Sequence, residues 1–153
     1  MRVGQVMSRQ VVAIRPEATV EEANRLMQEN HVSGLPVVDQ AGELVGMVSE
    51  GDLIRCLLPR YAEICDDERY AADFEFMEAR ADFVRRATVR EVMTAGAIAL
   101  TEDTPLLKAA AVMQMKGIKR IPVVRHGKLV GIISRADICS TLLGKAGGDS
   151  PAS

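Results

Sequence analysis

Only three cysteines (Cys56, Cys65, Cys139) and two histidines (His31, His126) occur among the 153 residues. The cysteines are odd in number, far apart and without CxxC spacing, which argues against a structural zinc site. Reduced thiols in a cytoplasm are the expectation. Neither histidine has a Ser, Cys or carboxylate partner at a spacing that suggests nucleophilic chemistry, so catalysis is not expected. No apolar run approaches the ~20 residues that cross a bilayer. No apolar stretch follows Arg2 in the opening MRVGQVMSRQ, as a secretory leader would require. Phosphate-cradling loops of the form G-x-x-x-x-G-K-[ST] or G-x-G-x-x-G are missing. The net charge is only -2, far from the excess that keeps chains disordered. A pI near 5.7 is not that of a general nucleic-acid binder. What is present, 48% apolar and 26% charged residues, is an ordinary globular mixture. It suits one compact domain or two small modules sharing a core.

The strongest positive signal is internal. Val3 to Gln40 lies over Val89 to His126 at a constant offset of 86. After Ala41 is skipped, Gly42 to Ile54 lies over Gly127 to Cys139 at an offset of 85. Sixteen of the 51 aligned pairs are identical, far above chance. The densest block is Pro36-Val37-Val38 with Pro122-Val123-Val124, followed by Leu44-Val45-Gly46 with Leu129-Val130-Gly131. Ser49 and Asp52 match Ser134 and Asp137. A period this long is not that of a solenoid of ~20–50-residue repeats. It is a duplicated module.

Each copy reads as β-α-β-β-α, and the fold class is α/β with two pseudo-symmetric repeats. Val11 to Ile14 and Ala97 to Leu100 are short and strand-like. Thr19, with Glu22 three residues on, marks a helix start, as does Thr104 with Pro105 in the first helical position. Ala23, Leu26 and Met27, like Ala109, Val112 and Met113, form apolar stripes at helical spacing that predict core positions. Two strand runs joined by a polar turn follow, and a last helix begins near Ser49 and Ser134. Gly46 and Gly131 predict a bulge or close packing. The expected organisation is a first repeat over 1–58, an insert over 59–86, a second repeat over 87–143 and a loose tail over 144–153. All five aromatics fall between positions 61 and 83. Tyr70, Phe74, Met77, Ala81 and Val84 form a stripe that predicts an inserted amphipathic helix.

The block "LPVVD…GELVGMVSEGDLI", repeated as "IPVVR…GKLVGIISRADIC", resembles the CBS domain, the cystathionine-β-synthase-type module. Two in tandem resemble a Bateman module. The resemblance covers about 110 residues, all but the insert and the tail. It implies a sensor or regulator, not an enzyme, whose two clefts often bind adenine nucleotides. Asp52 and Asp137 suit the two ribose hydroxyls, because a carboxylate accepts on both oxygens. Ser49 and Ser134, where the last helix begins, suit phosphate, helped by the helix dipole. Met47 and Ile132, with Leu35-Pro36 and Ile121-Pro122, suit the adenine. The resemblance further implies one cleft with Ser49 and Asp52 opposite Lys119, Arg120, Ile121 and Pro122. The second would set Ser134, Arg135 and Asp137 opposite Ser33, Leu35 and Pro36.

The same Ser-x-x-Asp is also a plain helix cap; its occurrence in two matched copies, each after a Gly-containing strand, favours a ligand role in at least one. Charge separates the copies. Met115 to Ala136 holds six basic residues and no acid, whereas Asn30 to Gly51 holds Asp39, Glu43 and Glu50 and no Lys or Arg. Lys119 and Arg120, just ahead of Ile121-Pro122, are the better phosphate candidates; Ser33-Gly34 stand in their place in the first copy. The expected function is a stand-alone cytoplasmic regulator that binds AMP, ADP or ATP, needs no cofactor or metal, and signals to an unidentified target protein by changing shape. A homodimer is expected, with neither nucleic acid nor membrane as partner. The alternative is an interaction scaffold whose clefts are empty or hold another adenosyl ligand, S-adenosylmethionine or NAD(H).

Overall fold

The computed structural model describes residues 1–58 and 78–144. Two compact units emerge, one of 12–97 and one of 1–11 with 98–153. The units do not follow the linear repeats. The opening segment of each repeat is built into the unit that carries the body of the other.

In the unit of 12–97, helix α1 (Val20–Glu29) leads into strands β1 (Gly34–Val38) and β2 (Leu44–Ser49) and helix α2 (Glu50–Leu57). Two short helices, α3 (Arg80–Arg85) and α4 (Val89–Val92), precede the two-residue strand β3 (Thr94–Ala95). The sheet order is β1-β2-β3, antiparallel throughout. Helix α1 starts where Thr19 accepts a hydrogen bond from the Glu22 amide at 3.1 Å. Its stripe of Val20, Ala23 and Met27 is buried with Leu35, Val37, Val48, Leu53, Val84 and Val89.

The other unit repeats this plan. A 3-10 turn, Val3–Gln5, stands where α4 stands in its counterpart. Helix α5 (Leu106–Lys116), strands β4 (Arg120–Arg125) and β5 (Lys128–Ser134) and helix α6 (Arg135–Leu143) complete it. Ser8 exchanges two backbone hydrogen bonds with Ile132, at 2.9 and 3.0 Å, on the edge that β3 occupies in the first unit. Val3, Met7, Leu106, Ala109, Met113, Ile121, Val123, Ile133 and Ile138 form the core. Met27 and Met113 are core residues, as their spacing predicts.

Two local features differ from the sequence expectation, and a third bears it out. The first strand of each repeat shrinks to one parallel bridge, Ile14 with Val37 and Leu100 with Val123, because only those residues reach the sheet. Helix α5 begins at Leu106 with Pro105 as its N-cap, one residue later than the Thr104 cap predicted. The glycines of β2 and β5 serve close approach as much as irregular pairing: a Cβ on Gly46 would lie 2.6 Å from the Thr94 carbonyl oxygen. The ladder is irregular beside both, between Val37 and Val38 and between Val123 and Val124.

The one-residue change of repeat offset falls in the hairpin turns. Asp39 Oδ1 accepts from the amides of Ala41 and Glu43 at 2.9 and 3.0 Å, closing the longer turn. His126 and Gly127, both with positive φ (52° and 80°), make a two-residue turn of the primed type. Of the amphipathic insert, Ala81 and Val84 lie in α3 with Val84 buried, while Tyr70, Phe74 and Met77 lie outside the described residues. The tail predicted beyond Gly144 lies outside them as well. No helix among the described residues is long and apolar enough to cross a membrane.

Candidate functional site

The candidate residues gather at two corners, one per unit, where the second hairpin strand turns into the last helix. In the first corner β2 ends at Ser49 and α2 begins. Gly34 stands opposite Ser49 in the ladder, Leu35 opposite Val48, and Pro36 opposite Met47. Directly opposed residues share a face of the sheet. Pro36, Met47 and Ser49 therefore lie on the face away from the core, while Leu35 and Val48 point into it. Leu35 is fully buried, so what it offers outside the core is backbone. The Ser33 carbonyl accepts the first amide of α2, from Glu50, at 3.0 Å.

The second corner has the same construction. Arg120 stands opposite Ser134, Ile121 opposite Ile133 and Pro122 opposite Ile132. Pro122, itself buried, and the half-buried Ile132 share the other face, and Ile121 is fully buried. The Lys119 carbonyl accepts the Arg135 amide at 2.9 Å. Lys119, Arg120 and Arg135 thus have their backbones at the corner of Ser134 and Asp137, which makes it basic. The first corner has Glu50 at the position of Arg135.

Both Ser-x-x-Asp sequences form capping boxes. Ser49 Oγ accepts from the Asp52 amide at 3.2 Å, and Asp52 Oδ2 accepts from the Ser49 amide at 2.9 Å. Ser134 Oγ accepts from the Asp137 amide at 3.1 Å, and Asp137 Oδ2 accepts from the Ser134 amide at 2.9 Å. The cap is therefore real in both copies. Two amides of each first helical turn are already engaged, one by the carbonyl just ahead of the first hairpin strand and one by the serine. Phosphate held at these corners would depend more on side-chain cations than on free backbone amides.

Beyond the cap the carboxylates differ. Asp52 is buried, and its Oδ1 accepts from Arg55 Nη1 at 2.9 Å and from Thr94 Oγ1 at 3.4 Å. Its Oδ2 takes a second bond, from the Ser49 hydroxyl, at 3.1 Å. Asp137 is half-buried, and its Oδ1 accepts from no described residue. Arg55 was not singled out by the repeat. A side chain three residues beyond Asp52 on a helix is within its reach, and that spacing was the available signal.

A further charged group centres on Glu102, in the unit of 1–11 with 98–153. Glu102 accepts from Arg9 Nη2 at 3.0 Å and from Arg125 Nε at 2.8 Å. The two guanidiniums, Arg125 foremost, hold its carboxyl below the ordinary glutamate value, with desolvation opposing them weakly.

A family model described as the CBS domain matches residues 3–59 and again residues 89–144. An uncharacterized protein of Methanocaldococcus jannaschii is 30% identical over 156 aligned positions, spanning 94% of this chain and 92% of that protein. Among solved structures, CBSX2 of Arabidopsis thaliana in complex with AMP is similar at a TM-score of 0.70 and 29% identity, covering 92% of this chain and 94% of that one. The CBS domain pair of protein MJ0100, in complex with 5′-methylthioadenosine and S-adenosyl-L-methionine, is similar at a TM-score of 0.70 and 25% identity, covering 95% and 98%.

Proposed function

The chain belongs to the CBS-domain family, with two copies of the module in tandem, and from that premise we propose a regulatory module that binds adenosine-type ligands at its two strand–helix corners. One observation carries the reading. The same serine–aspartate corner is built twice, and in the second copy Asp137 Oδ1 takes no bond from a described residue while Lys119, Arg120 and Arg135 stand alongside. A carboxylate oxygen with open lone pairs suits a ribose diol, and neighbouring cations suit phosphate. Ile132 at one corner and Met47 at the other, each half-buried against a buried proline (Pro122 and Pro36), offer apolar surface to a base.

AMP, ADP and ATP share the adenosine contacts and differ in phosphate charge, so the basic corner favours the nucleotides over uncharged adenosine. The AMP complex of CBSX2 supports this choice, and the MJ0100 complex supports S-adenosylmethionine as the alternative. The output is a change of shape passed to a partner protein in the cytoplasm, which requires that the ligand bind the two shapes with different affinity. Self-association as a twofold dimer belongs to the same reading. The unit of 12–97 carries a groove of about 510 Å³ whose apolar floor (Val20, Leu53, Ile54, Leu57, Ala81 and Val84) is edged by Glu21, Asn24, Glu50 and Arg85.

A thermal-shift panel of AMP, ADP, ATP, adenosine, S-adenosylmethionine and NAD(H) tests the function. A ligand at 100 times its dissociation constant adds about 2.7 kcal/mol of stability. A shift with none of them would leave the interaction scaffold as the function. Light scattering that gives a monomer mass at micromolar concentration, with and without nucleotide, would remove the dimer.

A further inference from the structure

Two copies of one motif differ here in what their carboxylates already hold. Asp52 Oδ2 takes the amide and the hydroxyl of Ser49, and Oδ1 takes Arg55 Nη1 at 2.9 Å and Thr94 Oγ1 at 3.4 Å. A carboxylate has about four lone-pair positions, and at Asp52 four donors fill them. Asp137 takes one described donor, the Ser134 amide. The Ser134 hydroxyl, unlike that of Ser49, donates to no described carboxylate.

The cause is in the residues around the motif. The repeat places Ser140 where Arg55 stands, and a serine cannot carry a cation to the preceding turn. It places Ser8 where Thr94 stands, and the Ser8 hydroxyl turns to the Gln10 carbonyl at 3.4 Å. The Arg55 side chain is 73% exposed while that of Asp52 is 6% exposed. The exposed guanidinium thus occupies, from the solvent side, the carboxylate oxygen that a ligand hydroxyl would use.

We infer that Arg55 is an intramolecular competitor for the diol acceptor of the Asp52 corner, so that the Asp137 corner fills first and the Asp52 corner fills only when Arg55 swings away. This rests on the adenosine-binding reading above. It adds a residue that sets the order of filling. Because the guanidinium is exposed, its departure exchanges one charged hydrogen bond for hydration, and the handicap is moderate.

Calorimetric titration with adenosine is the test, since a nucleoside without phosphate removes any attraction of Arg55 for the ligand itself. Asp137→Asn isolates the Asp52 corner. In that background Arg55→Met, which keeps an apolar stem without the charge, should tighten adenosine by about tenfold, the scale of a partly exposed charged hydrogen bond. In otherwise wild-type protein Arg55→Met should tighten the weaker step alone, and Ser140→Arg should weaken the tighter one. Far-ultraviolet circular dichroism and melting of each variant confirm folding. Unchanged affinity in Arg55→Met, or weaker adenosine binding, overturns the inference while leaving the function intact. If wild type and every variant fail to bind adenosine and AMP, the functional reading and the inference fall together.

Discussion

Met93 sets its sulfur 3.1 Å from where a Cβ on Gly46 would stand, and Met7 occupies the matching place over Gly131. Each methionine belongs to the opening segment of one repeat and each glycine to the hairpin of the other. The bare glycine face is what admits the segment.

Adding a methyl group at either glycine should therefore destabilise its unit, but unequally. At Gly46 the nearest atom is the Thr94 carbonyl oxygen at 2.6 Å, part of the backbone paired with β2, which cannot yield without breaking the ladder. At Gly131 the nearest atom is the Met7 sulfur at 2.6 Å, which can rotate, with the Ser8 carbonyl next at 2.9 Å. Gly46→Ala should cost about 3 kcal/mol, and Gly131→Ala about 1–2 kcal/mol, within the range of overpacking. Denaturant unfolding of both variants checks the order.

The aspartates should also differ without any ligand. Asp52→Ala strips a buried position of a carboxylate that satisfies four donors, and it leaves the Ser49 amide and Thr94 hydroxyl to find other partners. Asp137→Ala removes one described bond from a half-buried cap. Losses of about 2–3 and about 1 kcal/mol are expected. The share owed to the exposed Arg55 is small, because solvent screens it. Equal losses in urea unfolding would mean that Arg55 and Thr94 add nothing to Asp52.

Much of this plan was legible in the residues. The helical stripes placed Met27 and Met113 in the core, and the duplication exposed the paired Ser-x-x-Asp corners. Periodicity reports which face of an element is buried but not against which part of the chain. The exchange of opening segments was therefore hidden, although Gly46 and Gly131 marked the sites that receive them. The bridging strands at Ile14 and Leu100 read as longer because Val11 to Ala13 and Ala97 to Ala99 carry strand-like residues that the sheet does not pair. Arg55 escaped notice because comparison of the two copies highlights what they share, and this residue is one they do not.

Glu102 should give the unit of 1–11 and 98–153 an acid-sensitive contact. Its carboxyl is lowered from 4.5 by Arg125 and Arg9. A carboxylate with a lower value in the folded chain stabilises above its unfolded value, and that stability fades as pH falls through the folded one. Glu102→Gln should therefore melt lower than wild type at neutral pH and approach it in acid, where both side chains are uncharged. Melting curves from neutrality down past pH 4.5 that stay parallel would show that the two arginines contribute nothing through this charge.

Lys119 and Arg120 should carry the preference for phosphate. Arg120 stands opposite Ser134, and Lys119 accepts the Arg135 amide through its carbonyl, so both flank the corner whose aspartate keeps an open oxygen. Hydrogen bonds to charged groups are worth roughly 1.5–3 kcal/mol each. Replacing both residues with alanine should therefore lower the ratio of ATP to adenosine affinity by at least about tenfold, with little change for adenosine itself. Asp137→Asn should weaken both ligands at that step, because it acts on the ribose they share. Calorimetry separates the outcomes. A loss of ATP preference at the tighter step places the two cations with Asp137. A loss confined to the weaker step would place them with Ser49 and Asp52, the grouping that the family resemblance implies. An unchanged ratio at both steps would take Lys119 and Arg120 out of the site and leave Arg135 as the remaining cation at the Asp137 corner to meet the phosphate.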